Sequence, residues 1–252
     1  MLEKADDLKR YELHALDGEI GSVEEFYFDD KHWNVRYLVA ETGSWLTGKD
    51  VLISPFAITS VDRDKKIIHV NLTKKQIEDS PDRDSHRPVS RPFEESYNAY
   101  YGWPSYWGGP YAWGNYPFAG TALGHWDRSR AKAESEDRNL RSTKDDAGHN
   151  VEATDGEIGH VEDFVIDCDS WIIRYLVVDT SNWWVGKKVL ISSRWIESID
   201  WLEGKIDIGM TREAIRNSPD FSEKALQERD YEAILHKHYN RQDDWSNDFL
   251  AK

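Results

Sequence analysis

The sequence is poor in residues that carry covalent chemistry and has no segment that would cross a membrane as a helix. Its 252 residues include a single cysteine, Cys168, so an internal disulfide is impossible and a reducing compartment is expected. No apolar run approaches the roughly 20 residues of a membrane-spanning helix, and residues 1–7 lack the apolar core of a signal peptide. We therefore expect a soluble, cytoplasmic protein.

Basic residues are also in short supply. The chain has 32 Lys and Arg against 47 Asp and Glu, which gives a formal net charge of −15. Binding to nucleic acid or to an anionic membrane surface needs a basic patch, so neither is expected as a partner. The excess of acidic residues is explained by solubility alone.

The sequence also lacks motifs for catalysis, phosphate binding and metal binding. The Gly-Lys pairs at 48–49 and 186–187 lack the hydroxyl residue and the helix of a phosphate-binding loop. No histidine has the helical spacing of a zinc enzyme, and we expect solvated side chains at His125, His149, His160, His236 and His238. We expect no catalytic residue, no metal and no cofactor, and hence a protein that is not an enzyme.

What the sequence does contain is a long internal repeat. The run Asp-Gly-Glu-Ile-Gly at residues 17–21 returns at residues 155–159, and the match continues without a gap from 17–82 to 155–220. Ser-Pro-Asp closes both copies. The offset between the copies is 138 residues. Solenoid units repeat about every 20–50 residues, so a repeat of this length indicates a duplicated domain.

Each copy predicts a small β-domain that ends in a short helix. Asp-Gly is a hairpin-turn dipeptide, and Thr73 and Thr211 are predicted helix N-caps. Closely spaced short strands favour a barrel, which leaves no exposed sheet edge. The predicted fold class is mainly β, with two tandem small antiparallel barrels and short helices. The predicted strands are 20–28, 33–41, 49–53, 58–61 and 67–71, with equivalents at 158–166, 171–179, 187–191, 196–199 and 205–208.

The sequence between the two copies is of another kind. Residues 96–118 contain ten aromatic side chains and no charge, among glycines and prolines that disfavour a regular helix or central strand. Three alternatives are open: the segment packs on the same protein, offers stacking faces to a protein, a carbohydrate or another copy, or is disordered. Residues 221–239 predict an amphipathic helix. The predicted segments are 1–82 (first barrel), 83–137 (aromatic insert and charged linker), 138–220 (second barrel) and 221–252 (C-terminal helix and tail).

One arginine lies inside the most apolar strand of each copy. Arg36 and Arg174 need carboxylate partners, because an unpaired buried charge is very costly. The preceding strand offers Glu24 and Glu162, or Asp29 and Asp167, as partners. A structural ion pair is favoured over an anion-binding site.

Tryptophans are the candidate interface residues. Trp45, and Trp183 with Trp184, lie in Gly- and Thr-containing loops, where a tryptophan either plugs the barrel end or anchors an interface. The tryptophans of the aromatic insert complete the candidate set, which is Trp45, Trp183, Trp184, Trp103, Trp107 and Trp113.

Several motifs shared by the copies resemble the PRC-barrel family. They are Asp-Gly-Glu-Ile-Gly, Arg-Tyr-Leu-Val at 36–39 and 174–177, Gly-Lys, Val-Leu-Ile-Ser at 51–54 and 189–192, and the closing Ser-Pro. The family is named after the cytoplasmic barrel of the photosynthetic reaction-centre H subunit, and a related barrel closes a ribosome maturation factor. The insert resembles a segment of tandem bacterial members. The resemblance implies a compact barrel used for protein–protein contact.

These observations predict a non-enzymatic protein-interaction or scaffold module. One alternative is a small-molecule or pigment-binding protein that uses the aromatic insert. The resemblance alone implies a further alternative, an assembly factor for a reaction centre or a ribosomal complex. We expect the two barrels to pack on each other, and a homodimer is a further expectation.

Overall fold

The computed structural model describes residues 1–43, 45–46, 51–81, 89–108, 113–114, 116, 119, 140–181, 187–228 and 230–241. The chain begins with strand β1 (Leu2–Lys4) and helix α1 (Ala5–Leu8). It divides into two compact units. We call Asp7–Ser142 the first unit, and Met1–Asp6 together with the chain from Thr143 to Leu250 the second unit.

The first unit is built on a seven-stranded sheet. Its strands lie in the order β5-β4-β3-β2-β7-β6, and β8 pairs with the far half of β3. The pairing of β2 with β7 is parallel, and the others are antiparallel. The strands are β2 (Glu12–Ala15), β3 (Gly18–Asp29), β4 (Val35–Glu41), β5 (Val51–Ile53), β6 (Ile58–Asp62), β7 (Ile67–Val70) and β8 (Leu140–Ser142).

The second unit repeats this sheet. Its order is β12-β11-β10-β9-β14-β13, β1 pairs with β10, and the β9–β14 pairing is parallel. The strands are β9 (Asn150–Ala153), β10 (Gly156–Asp167), β11 (Ile172–Asp179), β12 (Lys188–Ser192), β13 (Ile196–Asp200) and β14 (Lys205–Ile208). The mainly β, tandem barrel-like fold is confirmed, with one parallel strand pair in each sheet that the sequence did not predict.

The helices are short. Those after α1 are α2 (Lys74–Glu78), α3 (Arg91–Tyr101), α4 (Arg212–Arg216) and α5 (Tyr231–His238). Thr73 and Thr211 cap α2 and α4 as predicted, because each side chain accepts a hydrogen bond from the third backbone N–H of its helix. Within the described part of the chain, no helix has the length and apolar character needed to span a bilayer.

One strand of each unit, β4 and its equivalent β11, lies mostly in the core. In β4 the six residues from Val35 to Ala40 are all buried, and in β11 the buried residues include Tyr175 to Val178. A strand buried on both faces matches the near-continuous apolar pattern read from the sequence. The tryptophans that precede these strands, Trp33 and Trp171, are buried and have left-handed backbone, with φ of 59° and 57°.

One glycine in each unit is required by close packing of the backbone. Gly21 has φ of 131°, and a Cβ atom there would lie 2.0 Å from the carbonyl oxygen of Glu41. Gly159 has φ of 146°, and its Cβ would lie next to the carbonyl oxygen of Asp179. Only glycine fits where the backbone approaches so closely at positive φ. This explains the second glycine of the Asp-Gly-Glu-Ile-Gly motif.

The two repeats exchange their first strands. Leu2 pairs with Asp167 in β10, and Leu140, the equivalent residue 138 positions later, pairs with Asp29 in β3. The chain thus enters the second unit's sheet, forms the first unit, and donates β8 to it before returning to the second unit. The predicted first domain, residues 1–82, differs from the first unit of the structure, because residues 1–6 belong to the second unit.

The repeat also extends beyond residue 82. Helix α3 is the counterpart of α5, since Glu94 and Glu232 are 138 positions apart and contact the equivalent tyrosines Tyr37 and Tyr175. The first part of the predicted insert, residues 91–101, is therefore a regular helix of the repeat. The helix predicted over 221–239 is shorter, because it is regular only from Tyr231 to His238, after a 3-10 turn at Ala225–Gln227.

Candidate functional site

An aromatic cleft lies beside helix α3 in the first unit. The helix starts at Ser90, whose hydroxyl accepts a hydrogen bond from Phe93 N, and it ends at Gly102 with left-handed φ of 73°. Gly102 reverses the chain, so that Trp103 stacks on Tyr101 with ring centroids 4.4 Å apart. The helix end and the turn thus place several rings side by side.

The cleft has a volume of about 360 Å³. The hydroxyls of Tyr100 and Tyr101 both donate to the backbone oxygen of Gln76, at 2.9 Å and 3.4 Å, which fixes α3 against α2. The side-chain oxygen of Asn71 is buried there without a hydrogen-bond partner among the described residues. The cleft is lined by Asn71, Leu72, Gln76, Tyr100, Tyr101 and Trp103.

Behind the cleft, α3 carries a buried carboxylate. Glu94 is fully buried, and its Oε1 accepts hydrogen bonds from Tyr37 (3.1 Å) and Tyr106 (3.0 Å). Arg91 contacts its other oxygen at 3.3 Å. Burial raises the pKa of Glu94 to about 7, although Arg91 and the two hydroxyls act in the opposite direction. Burial also raises the pKa of Tyr37 and Tyr106 well above the usual value.

Arg36 is locked inside the same unit. Its guanidinium lies 3.8 Å from the ring centroid of Tyr106 and 4.6 Å from that of Trp113, and it forms a 2.5 Å ion pair with Asp29. Burial by itself would raise the pKa of Asp29, but Arg36 and His32 outweigh it and lower the pKa. Of the two alternatives given for Arg36, a structural ion pair and an anion-binding site, the structure shows the ion pair.

The predicted glutamate partners of the two arginines are wrong. Arg174 pairs with Asp167 at 2.5 Å and with Glu232 at 3.3 Å, while Glu162 pairs with Lys188. The reason is the alternation of strand residues between faces. Glu24 and Glu162 fall on the exposed face of β3 and β10, whereas Asp29 and Asp167 fall on the buried face.

The predicted interface tryptophans occupy different environments. Trp113 is fully buried against Phe56, Trp103 is buried in the cleft wall, and both pack on their own unit. Trp107 is half-buried, with the guanidinium of Arg91 3.7 Å from its ring. Trp45 is half-buried and lies 5.0 Å from the ammonium of Lys74. Trp183 and Trp184 lie outside the described residues.

In the second unit α5 docks as α3 does. Tyr175 OH donates to Glu232 over 2.7 Å and lies 3.0 Å from a ring nitrogen of His236. His236 is buried against Trp195, so the expectation of a solvated side chain is wrong for this residue. The 138-residue spacing of Glu94 and Glu232 is the sequence signal that would have revealed that α3 and α5 are equivalent helices.

The most strongly perturbed acids are sealed inside the units. Glu94 is enclosed by tyrosines and Arg91, and Asp163, whose pKa burial and Asp6 raise to about 7, is also buried. Cys168 is a buried free thiol whose pKa is raised by burial. None of these three groups lines the aromatic cleft. Glu94, Asp163 and Cys168 are thus enclosed by protein and lie away from the cleft.

The family comparison matches both repeats. The model of the PRC-barrel domain family matches residues 2–77 and 148–208, which together make up more than half of the chain. A search of the curated proteins finds no match to the chain. The family match ends before α3 in the first unit and before α5 in the second, so the aromatic cleft combines matched residues with residues outside the match.

Proposed function

The chain belongs to the PRC-barrel domain family, and we propose that it is a non-enzymatic protein-interaction module whose binding surface is the aromatic cleft. The match to two barrel domains supports the modular part of this proposal. The cleft supports the interaction part, because it joins the family barrel to a helix and rings that the family model does not contain.

One observation carries the proposal. Among the described residues of the first unit, the large hydrophobic side chains that are exposed are Leu16 (69%) and Tyr100 (42%). Tyr100 is part of the lining of the cleft, and Leu16 N donates to the backbone oxygen of Leu72, another lining residue. An exposed aromatic ring in a concave site, with a second exposed apolar residue bonded through its backbone to the lining, is typical of a contact surface. The fitting partner is a protein that inserts a short apolar segment.

The positions of the perturbed acids support a non-enzymatic role. A general acid or base must reach its substrate, and Glu94 and Asp163 are buried. Among the described residues that line the cleft, the polar groups are amides and hydroxyls, with no carboxylate, histidine or cysteine. Such a lining favours binding over proton transfer.

The proposal is tested by affinity purification of the full chain from its native host. The variant Leu16→Ser/Tyr100→Ala removes the two exposed apolar side chains of the first unit, and Leu202→Ser is the matched control, because Leu202 is 99% exposed on the second unit. The amount of the main partner recovered with the double variant is expected to fall by about tenfold or more. The control variant is expected to recover as much as the wild type. Equal recovery by all three proteins, or no specific partner for the wild type, contradicts the proposal.

A small-molecule ligand is the second candidate, favoured by Asn71. Its buried, unpartnered Oδ1 would accept a hydrogen bond from a ligand in the cleft. Such a ligand would change tryptophan fluorescence through Trp103, and Trp103→Phe would reduce that change. The assembly-factor role, the packing of the two barrels on each other and the homodimer stay predictions.

A further inference from the structure

We infer that the first unit contains a binding site for a divalent transition metal such as Zn²⁺, formed by Glu12, His14 and Glu19. One ligand atom from each side chain lies within 4.8 Å of the other two. His14 Nε2 and Glu12 Oε2 are 3.0 Å apart. The site is separate from the aromatic cleft and does not depend on the proposed interaction.

The sheet register brings these side chains together. His14 on β2 pairs directly with Glu19 on β3, so both point to the same face of the sheet. Glu12 is two residues before His14 on β2 and therefore shares that face. On the other side of β2, His14 pairs with His69 of β7, and the ring centroids are 5.8 Å apart. Three adjacent strands thus supply two imidazoles and two carboxylates.

The second unit shows that these sheet positions attract a cation. The residues equivalent to His14 and His69 are Glu152 and Asp207, and Lys205 lies between them. The Lys205 ammonium is 2.9 Å from Glu152 and 3.5 Å from Asp207. A covalently attached cation therefore bridges the two strands in this copy.

The first unit has no such lysine, because the position equivalent to Lys205 is Ile67. Its carboxylates, Glu12 and Glu19, lie at neighbouring positions, and Glu19 forms no hydrogen bond or ion pair with any described residue. Imidazoles replace the acids at the two bridged positions. The second unit thus has a lysine between two acids. The first unit has an isoleucine, two imidazoles and nearby carboxylates, and these nitrogen and oxygen atoms are metal ligands.

The donor set selects the kind of ion. Imidazole nitrogen with carboxylate oxygen suits Zn²⁺ and its neighbours, whereas Mg²⁺ and Ca²⁺ take oxygen ligands. Three protein ligands leave the fourth position of a tetrahedral ion to water or to His69. A metal held here would link β2 to β3 and stabilise the folded first unit by mass action.

The test is calorimetric titration of the untagged, chelator-treated full chain with Zn²⁺. One equivalent is expected to bind, and the affinity is expected to fall by more than about tenfold in His14→Ala and in Glu12→Gln. Ile67→Lys, which supplies the second unit's ammonium, is expected to abolish binding, while Ile67→Val and His160→Ala bind as the wild type does. Because Glu12 is exposed, Glu12→Gln keeps the test valid if His14→Ala fails to fold.

Two results would overturn the inference. One is a wild-type chain that gives no saturable Zn²⁺ binding. The other is an affinity that is unchanged in Glu12→Gln and Ile67→Lys, which would place the bound ion elsewhere on the chain. Neither result bears on the aromatic cleft, since the variants that test the cleft are at Leu16 and Tyr100.

Discussion

The hydroxyl of Tyr37 donates a 3.1 Å hydrogen bond to Glu94, which fixes helix α3 to strand β4 of the first unit. The equivalent pair in the second unit, Tyr175 and Glu232, is 2.7 Å apart and fixes α5. Each barrel therefore carries a helix attached by the same contact. In the first unit this contact is fully buried, and the aromatic cleft is built at the end of the attached helix.

The stability of the first unit is predicted to fall as the pH rises from 4.5 to 7. Burial raises the pKa of Glu94 from 4.5 to about 7, so the folded protein holds this proton more tightly than the unfolded chain. The contribution of Glu94 is complete below pH 4.5 and is lost as the pH passes through 7, by up to about 3 kcal/mol.

Glu94→Gln is predicted to reduce this dependence, since glutamine does not titrate, while the part that comes from Asp163 in the second unit remains. The exposed neighbour Glu95 supplies the control, Glu95→Gln. The measurement is the free energy of unfolding by urea at several pH values. A wild-type slope that persists in Glu94→Gln would assign the dependence to another group.

Removal of residues 1–4 is predicted to weaken the second unit rather than the first. Strand β1 pairs with Val165 to Asp167 in β10, so its loss leaves that edge of the sheet unpaired. Hydrogen exchange measured by mass spectrometry is expected to show faster exchange in β10. The equivalent change in the first unit is Arg141→Pro, which disrupts β8. Faster exchange is then expected in β3, the partner of β8. Faster exchange in the first unit after removal of residues 1–4 would contradict the strand exchange.

Gly21→Ala is predicted to destabilise the first unit far more than Gly43→Ala. Both glycines have positive φ, which costs an alanine about 1–2 kcal/mol. The Cβ at position 21 would also lie 2.0 Å from the backbone oxygen of Glu41, whereas no atom of the described residues lies within 4 Å of a Cβ at position 43. Thermal unfolding of the two variants tests this, and similar melting temperatures would show that the backbone contact is not required.

Trp113→Ala is predicted to cost about 3–5 kcal/mol of stability. The indole of Trp113 is fully buried against Phe56 and Arg36, so its removal leaves a cavity and uncovers a buried charge. Trp107→Ala is the matched control, and the half-buried ring predicts a loss of about 1 kcal/mol, mainly from its contact with Arg91. Equal losses in urea unfolding would contradict the packing described for the aromatic segment.

The duplicated strands could be predicted from the sequence because the repeat and the apolar pattern agree. Residues 33–41 and 171–179 are apolar almost throughout, and the structure buries the strands there on both faces. The exchange of β1 and β8 could not be predicted, since three-residue strands carry almost no periodicity. Their partners are also far away in the sequence, as the pairing of Leu2 with Asp167 shows.

The candidate site was predicted only in part. Its aromatic composition was visible, but glycines and prolines further along hid helix α3, although Ser90, Pro92 and Gly102 are ordinary helix boundary residues. The choice of Asp29 over Glu24 required knowledge of which face each side chain occupies, and β-bulges in β3 shift that alternation. The proposed metal site depends on the pairing of β2 with β3 and β7, which the spacing of the histidines in the sequence does not reveal.

The interaction role of the aromatic cleft is tested most directly by photo-cross-linking in the native host. A benzophenone amino acid replaces Tyr100 at the cleft in one full-length chain and the exposed Leu202 of the second unit in another. We predict a discrete covalent adduct with another protein from position 100 and none of that adduct from position 202. No adduct at position 100, or the same products from both positions, would contradict the account.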